Sequence, residues 1–180
     1  NRLATLQKDV AMQAVSQTMY VLFMQNLTDM FGDIPYREAF MADKGILTPV
    51  FDSQEEVYKQ MCKTLEQANK LYASNPYVNS NYAALDNMYG FDMKKWQRFN
   101  NSLYIRVLGR LMGRNTTVVD STGNMTVKGK MQQIVDNPAQ YPVFTSNDDN
   151  ATVRFTAIAP YYSEFDPANY TESDFTNSAY

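Results

Sequence analysis

The sequence predicts a mainly α-helical fold with a small β-hairpin near its end. In four segments, apolar residues recur three or four positions apart, which places them on one face of a helix. A glycine or an Asn-Pro pair marks the end of each segment. After residue 140, apolar and polar residues alternate instead, as they do in a strand. The predicted helices cover 3–31, 53–73, 92–113 and 126–137.

The first predicted helix is the longest. From Leu3 to Met30 its apolar residues keep helical spacing, and no glycine or proline interrupts them. Gly32 is placed to end this helix, and Pro35 prevents it from restarting. The chain from 33 to 52 is therefore expected to form a loop.

The second predicted helix begins at a cap, which is either Asp52 or Ser53. Ser53 is followed three residues later by Glu56, which is the spacing of a capping box. The inner face is apolar and consists of Val57, Met61, Leu65, Ala68 and Leu71. The single cysteine of the chain, Cys62, lies in this helix and is interpreted as a small buried hydrophobe.

The third predicted helix carries two stripes and can be capped by Asp92. The apolar stripe consists of Trp96, Phe99, Leu103, Val107 and Leu111. The first three of these are expected to be buried together, so that Trp96 anchors the core and does not stack on a sugar. The polar stripe consists of Arg98, Ser102, Arg106, Arg110 and Arg114. Its arginines could meet an anionic glycan or partner, but a solvated or ion-paired helix face is the favoured interpretation.

The fourth predicted helix is shorter, and a strand-like segment follows it. The side chains expected to face inward are Met131, Ile134 and Val135. The alternating residues of 153–157 predict a strand, and 143–145 is its candidate partner across a turn at 146–150. From 160 onward no period survives, although six aromatic residues remain: Tyr161, Tyr162, Phe165, Tyr170, Phe175 and Tyr180. We expect these rings to lie in a groove of the helical layer or to stand where further chain covers them.

Composition bounds the class of protein. A length of 180 residues with 44% hydrophobic residues fits one domain, with a helical part at 1–140 and a loop- and strand-rich part at 141–180. The net charge of −3 disfavours nucleic acid as a partner. The absence of histidine removes the usual general base and the commonest zinc ligand. No apolar run approaches the ~18 residues of a membrane-spanning helix.

Acidic residues offer few candidates for chemistry. A glycosidase needs two carboxylates about 5–10 Å apart, but Asp29 and Asp33 flank a helix end, and Glu55 and Glu56 suit the first turn of a helix. The acidic segment 147–150 could ligate calcium, yet a solvated hairpin turn is favoured, since it lacks the glycine and terminal glutamate of an EF-hand loop. We therefore expect no catalytic residue, no metal and no cofactor.

Three segments carry a resemblance to a known family. The first consists of Tyr89-Gly90, Asp92, Lys95-Trp96, Asn101-Ser102-Leu103 and Arg106; the second runs from Leu27 to Tyr36 and adds Glu38-Ala39; the third is 146–151. In their order along the chain, 27–39, 89–106 and 146–151, they resemble motifs of the SusD/RagB outer-membrane lipoproteins of Bacteroidetes. The motif at 89–106 is written Y-x-G-D…KW…NSL-x-x-R in that family. Here the Gly-Asp step appears as Gly90-Phe91-Asp92, a departure of one residue.

The resemblance implies a fold and a function. The fold would be built on tetratricopeptide-like helix pairs beside a loop-rich lobe, although the sequence shows no clear 34-residue repeat. Such proteins capture glycans or peptides at the outer-membrane surface and pass them to a TonB-dependent transporter, without catalysis. The chain would then be an internal fragment that lacks the lipid anchor of the whole protein. Arg106 would tie its helix to a neighbouring loop. The alternative is a helical-repeat scaffold that binds protein only.

The candidate carbohydrate-binding residues are tyrosines of the loops. They are Tyr77, Tyr82, Tyr161 and Tyr162. Tyrosine offers an apolar ring and a hydroxyl group at low entropic cost, which suits both carbohydrates and protein interfaces. Asn79 and Asn81 near the first two add the amide groups that a glycan site needs. Ordinary surface tyrosine remains the alternative interpretation.

Overall fold

The computed structural model describes residues 9–79, 85–114, 117–120 and 123–153. The fold is mainly helical, as predicted. Its helices are α1 (Val10–Phe31), α2 (Gln54–Ala73), α3 (Met93–Leu111) and α4 (Val127–Asp136). Strands β1 (Thr117–Asp120) and β2 (Gly123–Thr126) pair antiparallel and join α3 to α4. Short 3-10 turns occur at Ala42–Lys44 and Asn147–Asp149.

The helices pack as two consecutive hairpins. α1 packs mainly on α2, α2 also packs on α3, and α3 contacts α4. A buried polar link joins the first three helices: the Thr18 hydroxyl donates to Asn100 Oδ1 at 2.9 Å and lies 2.9 Å from the Tyr72 hydroxyl. The Asn100 amide donates in turn to the carbonyl of Leu65 at 3.0 Å. Each of these buried polar side chains has a hydrogen-bond partner, so the link crosses the core without leaving one of them unpaired.

Helix α1 begins later than the predicted start at residue 3. Asp9 has an extended backbone, and its carboxylate accepts a hydrogen bond from the Met12 amide at 2.9 Å. This cap starts the helix at Val10, although apolar spacing continues upstream; residues 3–8 lie outside the described part of the chain. The helix ends at Gly32, as predicted, where a φ of 75° suits glycine.

Helix α2 has the predicted cap and the predicted inner face. The Ser53 hydroxyl accepts from the Glu56 amide at 3.3 Å. Val57, Met61, Leu65 and Ala68 are fully buried. Cys62 is equally buried, and this burial raises the pKa of its thiol to about 12. The cysteine is therefore a neutral member of the core, as the sequence indicated.

The apolar stripe of α3 is buried, as predicted, but its residues belong to two separate clusters. Trp96 and Phe99, near the start of α3, are buried in a cluster with Ala14 of α1 and Ala68 of α2. Leu103 belongs to the larger cluster, to which all four helices contribute. The Trp96 and Phe99 rings meet edge to face, with centroids 5.9 Å apart.

A single carboxylate organises the turn before α3. Asp86 accepts hydrogen bonds from the indole of Trp96 at 2.7 Å and from the amide of Phe91 at 2.8 Å. The amides of Met88 and Tyr89 donate to its other oxygen. These bonds hold Phe91 at a φ of 58°, where a bulky side chain is rare.

Helix α4 turns two of its three predicted residues toward the core. Val135 is 64% exposed, so its predicted inward position is wrong, whereas Ile134 is buried and Met131 is partly buried. The charged Lys130 is fully buried instead, with its ammonium group 2.6 Å from the carboxylate of Glu66 on α2. The hydroxyl of Tyr141 donates to the same carboxylate at 2.8 Å. The lysine can point inward because another helix supplies its partner.

The β-hairpin occurs at a different place from the predicted one. It lies at 117–126, between α3 and α4, and residues 143–145 are not a strand. The Thr145 amide donates to the side chain of Asp149, four residues on, at 2.9 Å and so forms a tight turn. The predicted partner strand from 154 onward and the aromatic segment 160–180 lie outside the described residues.

Candidate functional site

A pocket of about 340 Å³ opens where the end of α1, the start of α2 and the end of α3 meet. We call it the three-helix pocket. Its lining residues are Asp29, Gln54, Glu55, Tyr58, Arg110, Leu111 and Arg114. The lining combines charged, amide and phenol groups with one apolar side chain. Such a surface can hydrogen-bond a polar ligand, and its ring and leucine can contact an apolar part of that ligand.

Three side chains at this pocket form a linked group. The Tyr58 hydroxyl donates to one carboxylate oxygen of Asp29. Arg110 lies 3.3 Å from the other oxygen. Burial of Tyr58, reinforced by its hydrogen bond to Asp29, raises the pKa of the phenol well above its usual range. Tyr58 is therefore a neutral donor near pH 7, and the group ties together the three helices that form the pocket.

The carboxylates considered as a catalytic pair each have another role. Asp33 accepts from the backbone amide of Gln54 at 2.9 Å and so fixes the start of α2. Glu55 forms an ion pair with Lys59 at 2.7 Å, and Glu56 accepts from Gln60 at 2.8 Å. Together with the contacts of Asp29, these partners account for every carboxylate named as a candidate. Glu55 and Glu56 lie in the first turn of α2, as predicted, and the expectation that none of these carboxylates is catalytic stays a prediction.

The acidic turn at 147–150 is a structural lock on α3. Asp149 is only 4% exposed, so the expectation of a solvated turn is wrong for this residue. Hydrogen bonds from Thr145 and the neighbouring Arg98 guanidinium, 2.7 Å away, lower the pKa of Asp149 to about 2. The Tyr89 hydroxyl also donates to the backbone carbonyl of Asp149 at 2.8 Å. Among the described residues, no group of three or more Cys, His, Asp or Glu side chains could hold a metal.

The motif residues of α3 hold the following loop. The Asn101 amide donates to the carbonyl of Pro142 at 2.9 Å, and the Ser102 hydroxyl accepts from the amide of Phe144 at 2.9 Å. Arg98 ties α3 to the turn at Asp149 through an ion pair of 2.7 Å, and the tie to a loop that the resemblance implies for Arg106 stays a prediction. Arg106 is exposed and has no ion pair within the described part of the chain.

The structure describes only one of the four predicted carbohydrate-binding tyrosines. Tyr77 follows α2 and is 85% exposed. Tyr82, Tyr161 and Tyr162 lie outside the described residues, so the predicted grouping of four rings stays a prediction. The sequence reasoning missed the three-helix pocket. Spacing on one helix cannot show that Asp29, Tyr58 and Arg110, from three different helices, meet in space.

No helix in the described ranges combines the length and the apolar character needed to span a bilayer.

The sequence as a whole matches a protein family. A family model for SusD-like proteins, described as starch-binding and associating with the outer membrane, matches residues 1–180. Among curated proteins, none matches the sequence significantly.

The fold is similar to solved structures from Bacteroides. A SusD homolog from Bacteroides fragilis has a TM-score of 0.73 at 24% identity, over 88% of this chain and 31% of its own. An outer-membrane protein from Bacteroides vulgatus, for which a role in nutrient binding is suggested, has a TM-score of 0.72 at 27% identity, over 89% and 33% of the two chains. A SusD homolog from Bacteroides thetaiotaomicron has a TM-score of 0.61 at 28% identity, over 86% and 29%. The chain thus spans about a third of the length of these relatives.

Proposed function

Because this chain belongs to the SusD-like family of outer-membrane-associated binding proteins, we propose that the protein captures glycan nutrients at the cell surface without altering them. The observation that carries this proposal is the family match, which extends over residues 1–180. A peptide nutrient would use the same surface chemistry. The whole protein would be lipid-anchored in the outer membrane and would deliver its ligand to a TonB-dependent transporter.

Binding without catalysis agrees with the chemistry of the chain. The sequence contains no histidine. The acidic residues considered as a catalytic pair are engaged with Tyr58, Arg110, the amide of Gln54, Lys59 and Gln60. The ion pair with Lys59 lowers the pKa of Glu55, so this carboxylate is a poor proton donor near neutral pH.

We propose Tyr77, together with Tyr82, Tyr161 and Tyr162, as contributors to the glycan site. The support for Tyr77 is its exposure of 85% directly after α2, which leaves its ring available to stack on a sugar. A tyrosine ring of this kind offers contact area at low entropic cost because it has only two side-chain torsions.

Glycan-array screening of the full-length protein, followed by calorimetry on the best ligand, tests this function. Tyr77→Ala should weaken binding by about tenfold, which corresponds to about 1.4 kcal/mol. Phe51→Ala, which removes a ring that is 67% exposed in another loop, is the matched control and should leave binding unchanged. Binding of no glycan or peptide would contradict the proposal, as would release of reducing sugar that depends on a single Asp or Glu.

A second candidate function is a scaffold that binds protein only. Exposed apolar side chains on α1, among them Phe23 and Phe31, favour it. The two functions differ in one measurement, because a scaffold gives no signal on a glycan array.

A further inference from the structure

The three-helix pocket contains one positive charge that no neighbouring residue neutralises. Arg110 faces the carboxylate of Asp29 at 3.3 Å, and Glu55 forms an ion pair with Lys59 at 2.7 Å. Arg114 also lines the pocket, but it makes no ion pair with any residue in the described part of the chain. Because the other charges are matched, the guanidinium of Arg114 leaves the pocket with a surplus of positive charge.

The dipoles of the three helices offset only part of this surplus. The pocket lies at the C-terminal ends of α1 and α3 and at the N-terminal end of α2. Each end carries about half an elementary charge, which is negative at a C-terminus and positive at an N-terminus. The three ends together therefore supply about half a negative charge. The pocket stays positive and favours a ligand that carries a negative group.

The chemistry of Arg114 indicates which negative group fits. Its backbone amide donates to the carbonyl of Leu111 at 2.9 Å, so the residue is held in the turn that follows α3. A guanidinium group presents five N–H donors in a planar fork, which matches the two oxygens of a carboxylate. A carboxylate also carries the single negative charge that one surplus guanidinium balances.

The other polar groups of the lining suit the hydroxyl groups of a sugar. Asp29 accepts a hydrogen bond from Tyr58 and pairs with Arg110, yet a carboxylate has about four acceptor sites and can accept further bonds. The side-chain nitrogen of Gln54 donates to the carbonyl of Thr28 at 2.9 Å, which leaves its side-chain oxygen as an acceptor. The pocket therefore combines acceptors with the guanidinium donors, and hydroxyl groups can use both.

The pocket is separate from the tyrosines proposed above. Tyr77 follows the C-terminal end of α2, whereas the pocket lies at the N-terminal end. The helix has 20 residues, so its two ends are about 30 Å apart. The volume of about 340 Å³ is near the lower limit of the range of about 300–1,000 Å³ that is usual for small-ligand sites. It suits a short saccharide unit and not a polysaccharide chain.

We propose that the three-helix pocket is a second glycan subsite that takes a uronic acid, with the sugar carboxylate on Arg114 and the hydroxyl groups on Asp29 and Gln54. This proposal rests on the proposed function, because it takes the ligand to be a glycan. An acidic peptide would also present a carboxylate, but its side chain lacks the ring of hydroxyl groups that the acceptors of the pocket can bind.

Calorimetry with the full-length protein tests this proposal. The probes are disaccharides that contain glucuronate, galacturonate or mannuronate, each compared with its methyl ester, which keeps the ring hydroxyls and removes the charge. We expect at least one acid to bind about tenfold more tightly than its ester, because hydrogen bonds between charged groups are the stronger ones. Arg114→Gln should abolish this preference without changing the binding of the ester. Lys94→Gln removes the same charge from an exposed site at the other end of α3 and should bind like the wild type.

A second variant covers the case in which Arg114→Gln disturbs the fold. Arg114→Lys keeps the charge and loses the planar fork, so its preference for the acid should lie between those of the wild type and Arg114→Gln. The Tm of each variant is measured alongside. A preference for the acid that is the same in all three proteins would overturn the proposal.

The remaining outcomes separate this proposal from the proposed function. Equal binding of acids and esters, or binding of none of these uronides, would overturn the uronic acid subsite. Binding of only a sulfated disaccharide or only an acidic peptide, lost in Arg114→Gln, would also overturn it, since the pocket would then have a different ligand. In each case, binding of neutral glycans that Tyr77→Ala weakens would still support the proposed function.

Discussion

Asp86 shows how one side chain can fix the start of a helix. It accepts hydrogen bonds from three backbone amides and from the indole of Trp96. The burial of Trp96 was predictable, because its position on an apolar helical stripe is a property of the local sequence. The link to Asp86 was not, since the indole could have met any acceptor in the preceding loop. Pattern reasoning at the residue scale therefore predicts burial better than it predicts polar partners.

Trp96→Ala should destabilise the protein by about 3–5 kcal/mol, because the substitution removes a large buried ring and leaves a cavity. The change also leaves Asp86 without its indole donor. Chemical denaturation followed by circular dichroism measures the loss. Trp96→Phe is the control that keeps a smaller aromatic ring and loses the indole donor, so it leaves a smaller cavity and should cost less. An unchanged midpoint for Trp96→Ala would mean that this side chain does not lie in the core.

At the scale of elements, local sequence signals predict where most helices begin and end. They do not predict a turn whose conformation depends on a contact with a residue distant in the sequence. Gly32 ended α1 and Ser53 started α2 as expected, because both act through the backbone beside them. Asp9 was overlooked as a cap because apolar spacing continued upstream. The turn at 145–149 was mistaken for part of a hairpin because its partner, Arg98, lies on α3.

The lock between this turn and α3 should weaken in acid. The folded pKa of Asp149 is about 2, below the value of about 3.9 expected in the unfolded chain. A lowered pKa stabilises the fold above the unfolded value, and this contribution is lost as the pH falls from about 4 to about 2. Stability measured across this window should show a loss that Asp149→Asn lacks. Asp148→Asn changes the exposed neighbour and should behave like the wild type. A wild-type-like loss in Asp149→Asn would refute the assignment.

At the scale of the whole molecule, two buried polar groups join the helical hairpins. Thr18, Tyr72 and Asn100 connect α1, α2 and α3, and Lys130 with Glu66 connects α4 to α2. Amphipathic spacing predicted the helical class. It could not predict a lysine at an inward position, because that depends on a carboxylate from a different hairpin. The three-helix pocket was missed for the same reason.

Removing one member of the buried ion pair should cost more than removing both. Lys130→Met leaves the Glu66 carboxylate buried without its cation, which should cost about 3–5 kcal/mol. The double substitution Lys130→Met with Glu66→Leu should recover much of that loss, since no unpaired charge then remains. Urea denaturation of the two single variants and the double variant measures the coupling. Additive losses would contradict the pairing.

The backbone conformation of Phe91 bears on how this segment can change in evolution. It stands at a φ of 58°, next to Gly90 at 60°. In the motif that this segment resembles, the glycine falls at position 91, one residue later than in this chain. Replacing Phe91 by glycine would relieve backbone strain of about 1–3 kcal/mol, but it would also remove a ring that is 92% shielded from solvent, given its exposure of 8%. The two effects oppose each other and are similar in size. Drift toward the common pattern therefore offers little selective advantage by a single step, and we expect positions 90 and 91 to change together among close relatives of this protein.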